Sequence, residues 1–118
     1  MTIKGLIDKV QEEKPNTFGD EKLLSFINEI EHDTAEQLAA FFEPYTEVDD
    51  TELLVPAPYD ALYESYLKAK IDYALEEYAS YQINQEQHDN DFAIFIDWVV
   101  RTGQALEHHA PRKLRNIL

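Results

Sequence analysis

Leu62-Tyr63-Glu64-Ser65-Tyr66-Leu67-Lys68-Ala69-Lys70-Ile71-Asp72-Tyr73-Ala74 is the stretch that decides the fold. Leu62, Tyr66, Ala69 and Tyr73 fall on one line, and Tyr63, Leu67, Ile71 and Ala74 on the next; Tyr78 and Tyr81 continue the second. Spacings of three and four place each set on one helix face. Ahead of it, Leu53-Leu54-Val55-Pro56-Ala57-Pro58-Tyr59-Asp60 carries two prolines and reads as extended. Behind it, no Gly or Pro interrupts the chain until Gly103, and Phe92, Phe95, Ile96 and Val99 recur at helical spacing with Trp98 beside them. The pattern predicts a long antiparallel helix pair over about 59–82 and 86–102. The turn is expected in the polar seam Gln82 to Asp91, with Asn84 and Asn90 as its candidates. Gly103 is placed to close the last helix.

Two further helices are expected upstream. Ile3, Leu6, Ile7 and Val10 predict one over about 2–14, ended by Pro15. Leu23, Phe26, Ile27, Ile30, Thr34, Leu38, Phe41 and Phe42 predict a second over about 20–42, with Asp20 as its N-cap and Pro44 just beyond its end. Thr34-Ala35-Glu36-Gln37 has the form of a capping box and allows a kink near Asp33; the continuous stripe favours one helix. Residues 43–52 hold five acids and no base and read as an exposed loop. The segment 51–55 is either a short extended piece that needs a pairing partner or a coil that packs its leucines on the helices. The fold class is thus all-α, a small helical bundle, with one domain over 1–107 and a basic tail over 108–118.

The chain has 118 residues, 44% of them hydrophobic and 12% aromatic, enough for a packed core and unlike a disordered acidic polymer. It has no Cys, which excludes disulfides, thiolate metal sites and a Cys nucleophile. No apolar run suggests a signal peptide or a membrane span. Net charge is −14. Between Lys22 and Lys68 there is no base, whereas Arg112, Lys113 and Arg115 stand together without an acid. A body of this charge repels a phosphate backbone, so specific nucleic-acid binding is disfavoured. An acidic body with a basic tail suits a partner, or a sister subunit, of complementary charge.

Catalytic and metal motifs are weak. Glu29-Ile30-Glu31-His32 contains one Glu-x-x-His, but a carboxylate-bridged di-metal bundle needs it twice, and Glu86-Gln87-His88 has the wrong spacing. These are read as surface polar residues. Ser25, Ser65 and Ser80 lie in no nucleophile-elbow context, and three glycines cannot build a phosphate loop. Glu76 and Glu77, with Asp72 one turn back, are read as a wet helix face. No enzymatic activity and no cofactor are expected. The seven tyrosines spread wider than one core stripe requires, and tyrosine suits surfaces that are apolar yet partly wet. The partner-binding candidates are therefore Arg112, Lys113, Leu114, Arg115, Ile117 and Leu118 in the tail, Glu47, Asp49 and Asp50 in the acidic loop, and Tyr59 and Tyr63.

Leu54-Val55-Pro56-Ala57-Pro58-Tyr59-Asp60, Leu62-Tyr63, Tyr66-Leu67, Ala69-Lys70-Ile71-Asp72, Glu77, Tyr81, Phe95, Trp98 and Arg101 together resemble a family of small tailed-phage proteins. These are head–tail connector (neck, or adaptor) proteins of phages and prophages of Gram-positive bacteria. The resemblance covers about residues 20–102, and His88 stands where those relatives tend to have an aromatic. It implies a structural virion protein that joins the portal to the tail as a ring, with portal and other neck or tail proteins as partners. It also implies DNA passing nearby without specific binding, and a place in the virion neck and, during assembly, in the host cytoplasm. The rival expectations are an acidic DNA-mimic or inhibitor of a nucleic-acid enzyme, and a di-metal carboxylate enzyme.

Overall fold

The computed structural model describes residues 1–103, and the tail residues 108–118 lie outside the described residues. Four helices follow one another: α1 (Ile3–Glu13), α2 (Asp20–Leu38), α3 (Ala61–Ala74) and α4 (Tyr78–Thr102). The architecture is a small all-α bundle in which α4 folds back along α3.

Helix α1 starts at Thr2, whose Oγ1 accepts from the Gly5 amide at 2.9 Å. A Cβ at Gly5 would sit 3.0 Å from that oxygen, so the cap explains a glycine inside the first turn. The α1 stripe Ile3, Leu6, Ile7 and Val10 is buried as its spacing predicts. Helix α2 begins with Asp20 and Glu21 inside its first turn; Gly19, not Asp20, is the N-cap. It runs through Asp33 without a break and buries Leu23, Phe26, Ile27, Ile30 and Leu38.

Two helix ends differ from expectation for one shared reason. α2 stops at Leu38 and not near 42, because Ala39 takes the left-handed conformation (φ 53°). The Ala40 amide then donates to the Ala35 carbonyl at 2.9 Å and the Ala39 amide to Glu36 at 3.2 Å. α3 stops at Ala74, well before 82, because Glu76 is left-handed too (φ 60°). The Glu77 amide donates to the Asp72 carbonyl at 2.9 Å and the Glu76 amide to Tyr73 at 3.1 Å. Both ends are paired-bond C-terminal caps of the Schellman kind, formed here without the glycine that usually marks them.

The expected turn in the polar seam is accordingly overturned: residues 82–91 lie within α4. Three of their polar side chains, Asn84, His88 and Asp91, face α3 and are paired there, as is Ser80 just before them. Asn84 Nδ2 and Ser80 Oγ donate to Asp72 Oδ2 at 2.7 and 2.8 Å. Ser65 Oγ donates to Asp91 Oδ2 at 2.9 Å, and His88 Nδ1 lies 2.9 Å from the Leu62 carbonyl, to which it must donate. Farther along, Phe95 and Val99 enter the apolar core beside Leu62, Tyr63, Leu67 and Ile71.

The segment before α3 finds its partner within the chain. Leu53 donates to the Met1 carbonyl at 2.9 Å, Ile3 to Thr51 and Lys4 to Asp49, each at 3.0 Å, and Thr2 and Glu52 form an isolated antiparallel bridge. Leu53 and Val55 are buried against the helices, and the Ala57–Pro58 peptide is cis.

Candidate functional site

The corner between α3 and α4 gathers three of the exposed large apolar side chains found among the described residues. Every residue from Tyr73 to Ala79 is exposed, although Tyr73, Leu75 and Tyr78 are large and apolar. Tyr73 is 59% exposed and Tyr78 52%. The Tyr73 ring meets Tyr78 at 5.8 Å and Tyr81 at 5.2 Å, both edge-on, so the three rings form one cluster. Edge-to-face rings are mutually attractive yet leave ring faces open. Glu76 and Glu77 lie in the turn itself, and α3 has no basic residue in its last turn to offset the partial negative charge of its carboxyl end. The corner is thus aromatic, uncovered and electronegative.

Its rigidity comes from behind. Asp72, expected on a wet face, is fully buried. Its Oδ2 accepts from Ser80 and Asn84, as above, and its Oδ1 faces Lys14 Nζ at 2.5 Å. Among the described residues the ammonium is the one partner of Oδ1. Burial pushes the Asp72 carboxyl up, but Lys14, Asn84 and Ser80 outweigh it and hold the group below its ordinary range. Lys14, in turn, is raised by its contact with Asp72 and also meets Glu77 at 3.3 Å. One carboxylate therefore ties the end of α1 to both helices of the corner.

A second buried carboxylate organises the opposite side. Glu31, read as a surface residue, is completely buried. It accepts from the Tyr63 and Tyr45 hydroxyls (2.5 Å each), Thr34 Oγ1 (2.8 Å) and the Leu54 amide (2.9 Å). Tyr63 also accepts from the Val55 amide at 2.9 Å. Burial and the charge of Glu31 push the Tyr63 hydroxyl well above its ordinary range, and burial with the Glu31 hydrogen bond does the same to Tyr45. These groups fasten residues 45–55 onto α2 and α3. Tyr63, a candidate for partner contact, is fully buried within the bundle.

The remaining candidates are scattered. Tyr59 is half-buried and stacks on Trp98, ring centroids 4.8 Å apart. Glu47 and Asp50 are exposed on the acidic loop. Asp49 accepts from the Thr51 amide at 2.9 Å, and its hydrogen bonds to Thr51 hold its carboxyl below the ordinary range, so it shapes the loop. Glu47 lines a shallow groove with Asp20, Glu21, Leu24, Thr46 and Val48. Arg112, Lys113, Leu114, Arg115, Ile117 and Leu118 lie outside the described residues. Tyr73, Tyr78 and Tyr81 of the corner belong to the tyrosine excess of the sequence, and Leu75 carried no signal of its own.

Glu29 accepts from Tyr66 at 2.9 Å and pairs with Lys70 at 3.1 Å, while His32 is exposed. Among the described residues no group of three or more His, Asp or Glu is placed to hold a metal ion. No helix among them is long and apolar enough to cross a membrane. The chain matches no protein-family model, no curated protein and no solved structure.

Proposed function

We propose that this chain is an assembly subunit of a tailed-phage head–tail joint, acting through its surfaces and not through a reaction. The observation that carries the reading is the Tyr73–Tyr78–Tyr81 cluster: Tyr73, Tyr78 and Leu75 stand exposed, with Tyr81 half-buried beside them, on a corner backed by the Lys14–Asp72 ion pair. Aromatic side chains on a preorganised support are what a protein interface uses as anchors. The resemblance carried by the Pro-Tyr-Asp to Lys-Ile-Asp segment supplies the setting, a ring between portal and tail. In that setting the acidic body faces DNA that passes without adhering, since like charges repel.

The test is the mass of the full chain by light scattering, alone and then mixed with portal and neck proteins encoded beside it. A ring-sized complex, or incorporation with the portal only, supports the reading. Deleting 108–118 is expected to weaken incorporation. A chain that ignores every joint protein overturns it. If that chain instead forms a salt-sensitive complex with a nucleic-acid enzyme, the acidic-inhibitor reading replaces it.

A further inference from the structure

We infer that the groove between α2 and residues 42–44 receives an arginine side chain from a segment of a partner protein in which apolar residues flank that arginine. The inference goes beyond the assembly reading and uses no residue of the aromatic corner, so failure of one leaves the other standing.

The groove has a volume of about 880 Å³ and combines apolar residues (Phe42, Pro44 and Tyr66) with two carboxylates of α2, Glu29 and Asp33. Hydrogen bonds set its shape from two sides. Asn28 Nδ2 donates to the Tyr45 carbonyl at 3.1 Å, and Asn28 Oδ1 accepts from the Tyr45 amide at 2.9 Å. This double bond to the backbone fastens the chain next to Pro44 onto α2. Across the groove, the Tyr66 hydroxyl of α3 donates to Glu29 Oε1 at 2.9 Å. A site already shaped in this way spends little on ordering itself around an occupant.

Charge selects the occupant. Glu29 and Asp33 stand four residues apart on α2, which makes their like charges neighbours at about 6 Å between Cβ atoms. Lys70 pairs with Glu29 at 3.1 Å, whereas Asp33 has no ion-pair partner among the described residues. Burial, then Glu29, then the charge of Asp33 push the Tyr66 hydroxyl above its ordinary range, so both carboxylates bear on one ring. The bundle already uses this combination of ring and carboxylate to hold a cation: Lys70 Nζ lies 5.5 Å from the Tyr66 ring centroid while it pairs with Glu29. Among the described residues no Lys or Arg lines the groove itself. A guanidinium suits it better than an ammonium, because the planar group stacks on a ring and forks to two acceptors at once. Apolar neighbours of that arginine would cover Phe42 and also Phe41, which is 72% exposed beside it in the chain. A phosphate-bearing partner is repelled by the same acids.

The experiment titrates the isotope-labelled full chain with the capped peptide acetyl-Gly-Leu-Arg-Leu-Gly-amide in low salt and follows backbone amide resonances by NMR. Saturable shifts are expected at Asn28 to Asp33, Phe42 to Tyr45 and Tyr66. Citrulline in place of arginine keeps the shape without the charge and should bind about tenfold or more weakly. Asp33→Asn, at an exposed side chain, should weaken binding by about fivefold. Glu86→Gln removes the same charge from an exposed position on α4 and should change nothing. No saturable shift at the groove, equal binding of the citrulline peptide, or equal weakening by Glu86→Gln overturns the inference. Arginine amide that binds as tightly as the peptide would make the occupant a small cation and overturn the partner segment. Peptide binding that tightens about tenfold in Arg112→Gln/Arg115→Gln would make the chain's own bases the occupant and overturn the partner.

Discussion

The Tyr63 hydroxyl on α3 donates to the buried carboxylate of Glu31 on α2 while accepting from the Val55 amide, so one oxygen joins three parts of the chain. Replacing Tyr63 by Phe keeps the ring and removes the oxygen. It leaves a buried carboxylate short of a donor and a buried amide without an acceptor. The expected loss is about 1–3 kcal/mol by urea unfolding. Tyr73→Phe, on the exposed corner, should change stability by less than about 0.5 kcal/mol.

Lys14→Met removes the one partner that Asp72 Oδ1 has among the described residues. Unfolding free energy should fall by about 3 kcal/mol, the low end for breaking a buried pair because Lys14 is itself partly wet. The pH dependence follows from the same site. Asp72 titrates below its unfolded value of 3.8, so its contribution is present above that pH and is lost as pH falls through the folded value. Asp72→Asn should flatten the acid limb of the stability curve below pH 4, read from thermal melts across pH.

His88 lies between the rings of Tyr66 and Phe92, at 5.0 and 5.7 Å. Burial holds its pKa below 6.5, outweighing the Leu62 carbonyl and nearby acids. The unfolded chain therefore takes up the proton first, and stability declines as pH drops below 6.5. His88→Phe should abolish that part of the decline and cost little at pH 8. Melting temperatures of both proteins from pH 8 to 5 decide it.

Ala39→Gly and Glu76→Gly address the two left-handed helix caps. Both residues are exposed, so few contacts are lost, and glycine removes the steric penalty at positive φ. Each is expected to raise stability by about 0.5–1 kcal/mol, after allowing for the greater freedom of glycine in the unfolded chain. Equal or lower melting temperatures would show that these caps are unstrained.

The existence of four helices was legible because apolar periodicity depends on burial alone. The ends of α2 and α3 were not, because sequence marks a C-terminal cap by Gly, as at Gly103 after α4, and here Ala39 and Glu76 do that work. The polar seam misled for a related reason. Asn84, His88 and Asp91 were read by polarity, which assumes a polar side chain faces water, whereas each is paired with α3. Glu31 shares a helix face with Ile27, Thr34 and Leu38, so a carboxylate on an apolar stripe was visible in the sequence; its partners Tyr45, Leu54 and Tyr63 were not, being distant in the chain. Of the tyrosines taken as surplus to the core, Tyr63 is fully buried, whereas Tyr73 and Tyr78 are exposed.

The polar pairing of α3 with α4 has a mechanical consequence. Apolar side chains that slide by one helical turn, about 5.4 Å, meet other apolar side chains and regain much of what they lost. Directional bonds do not. A slip of α4 would part Asp72 from Asn84, Ser65 from Asp91 and His88 from Leu62 at once, stranding a buried charge. The hairpin therefore has one register and behaves as a strut of fixed length, able to carry load along its axis without creep.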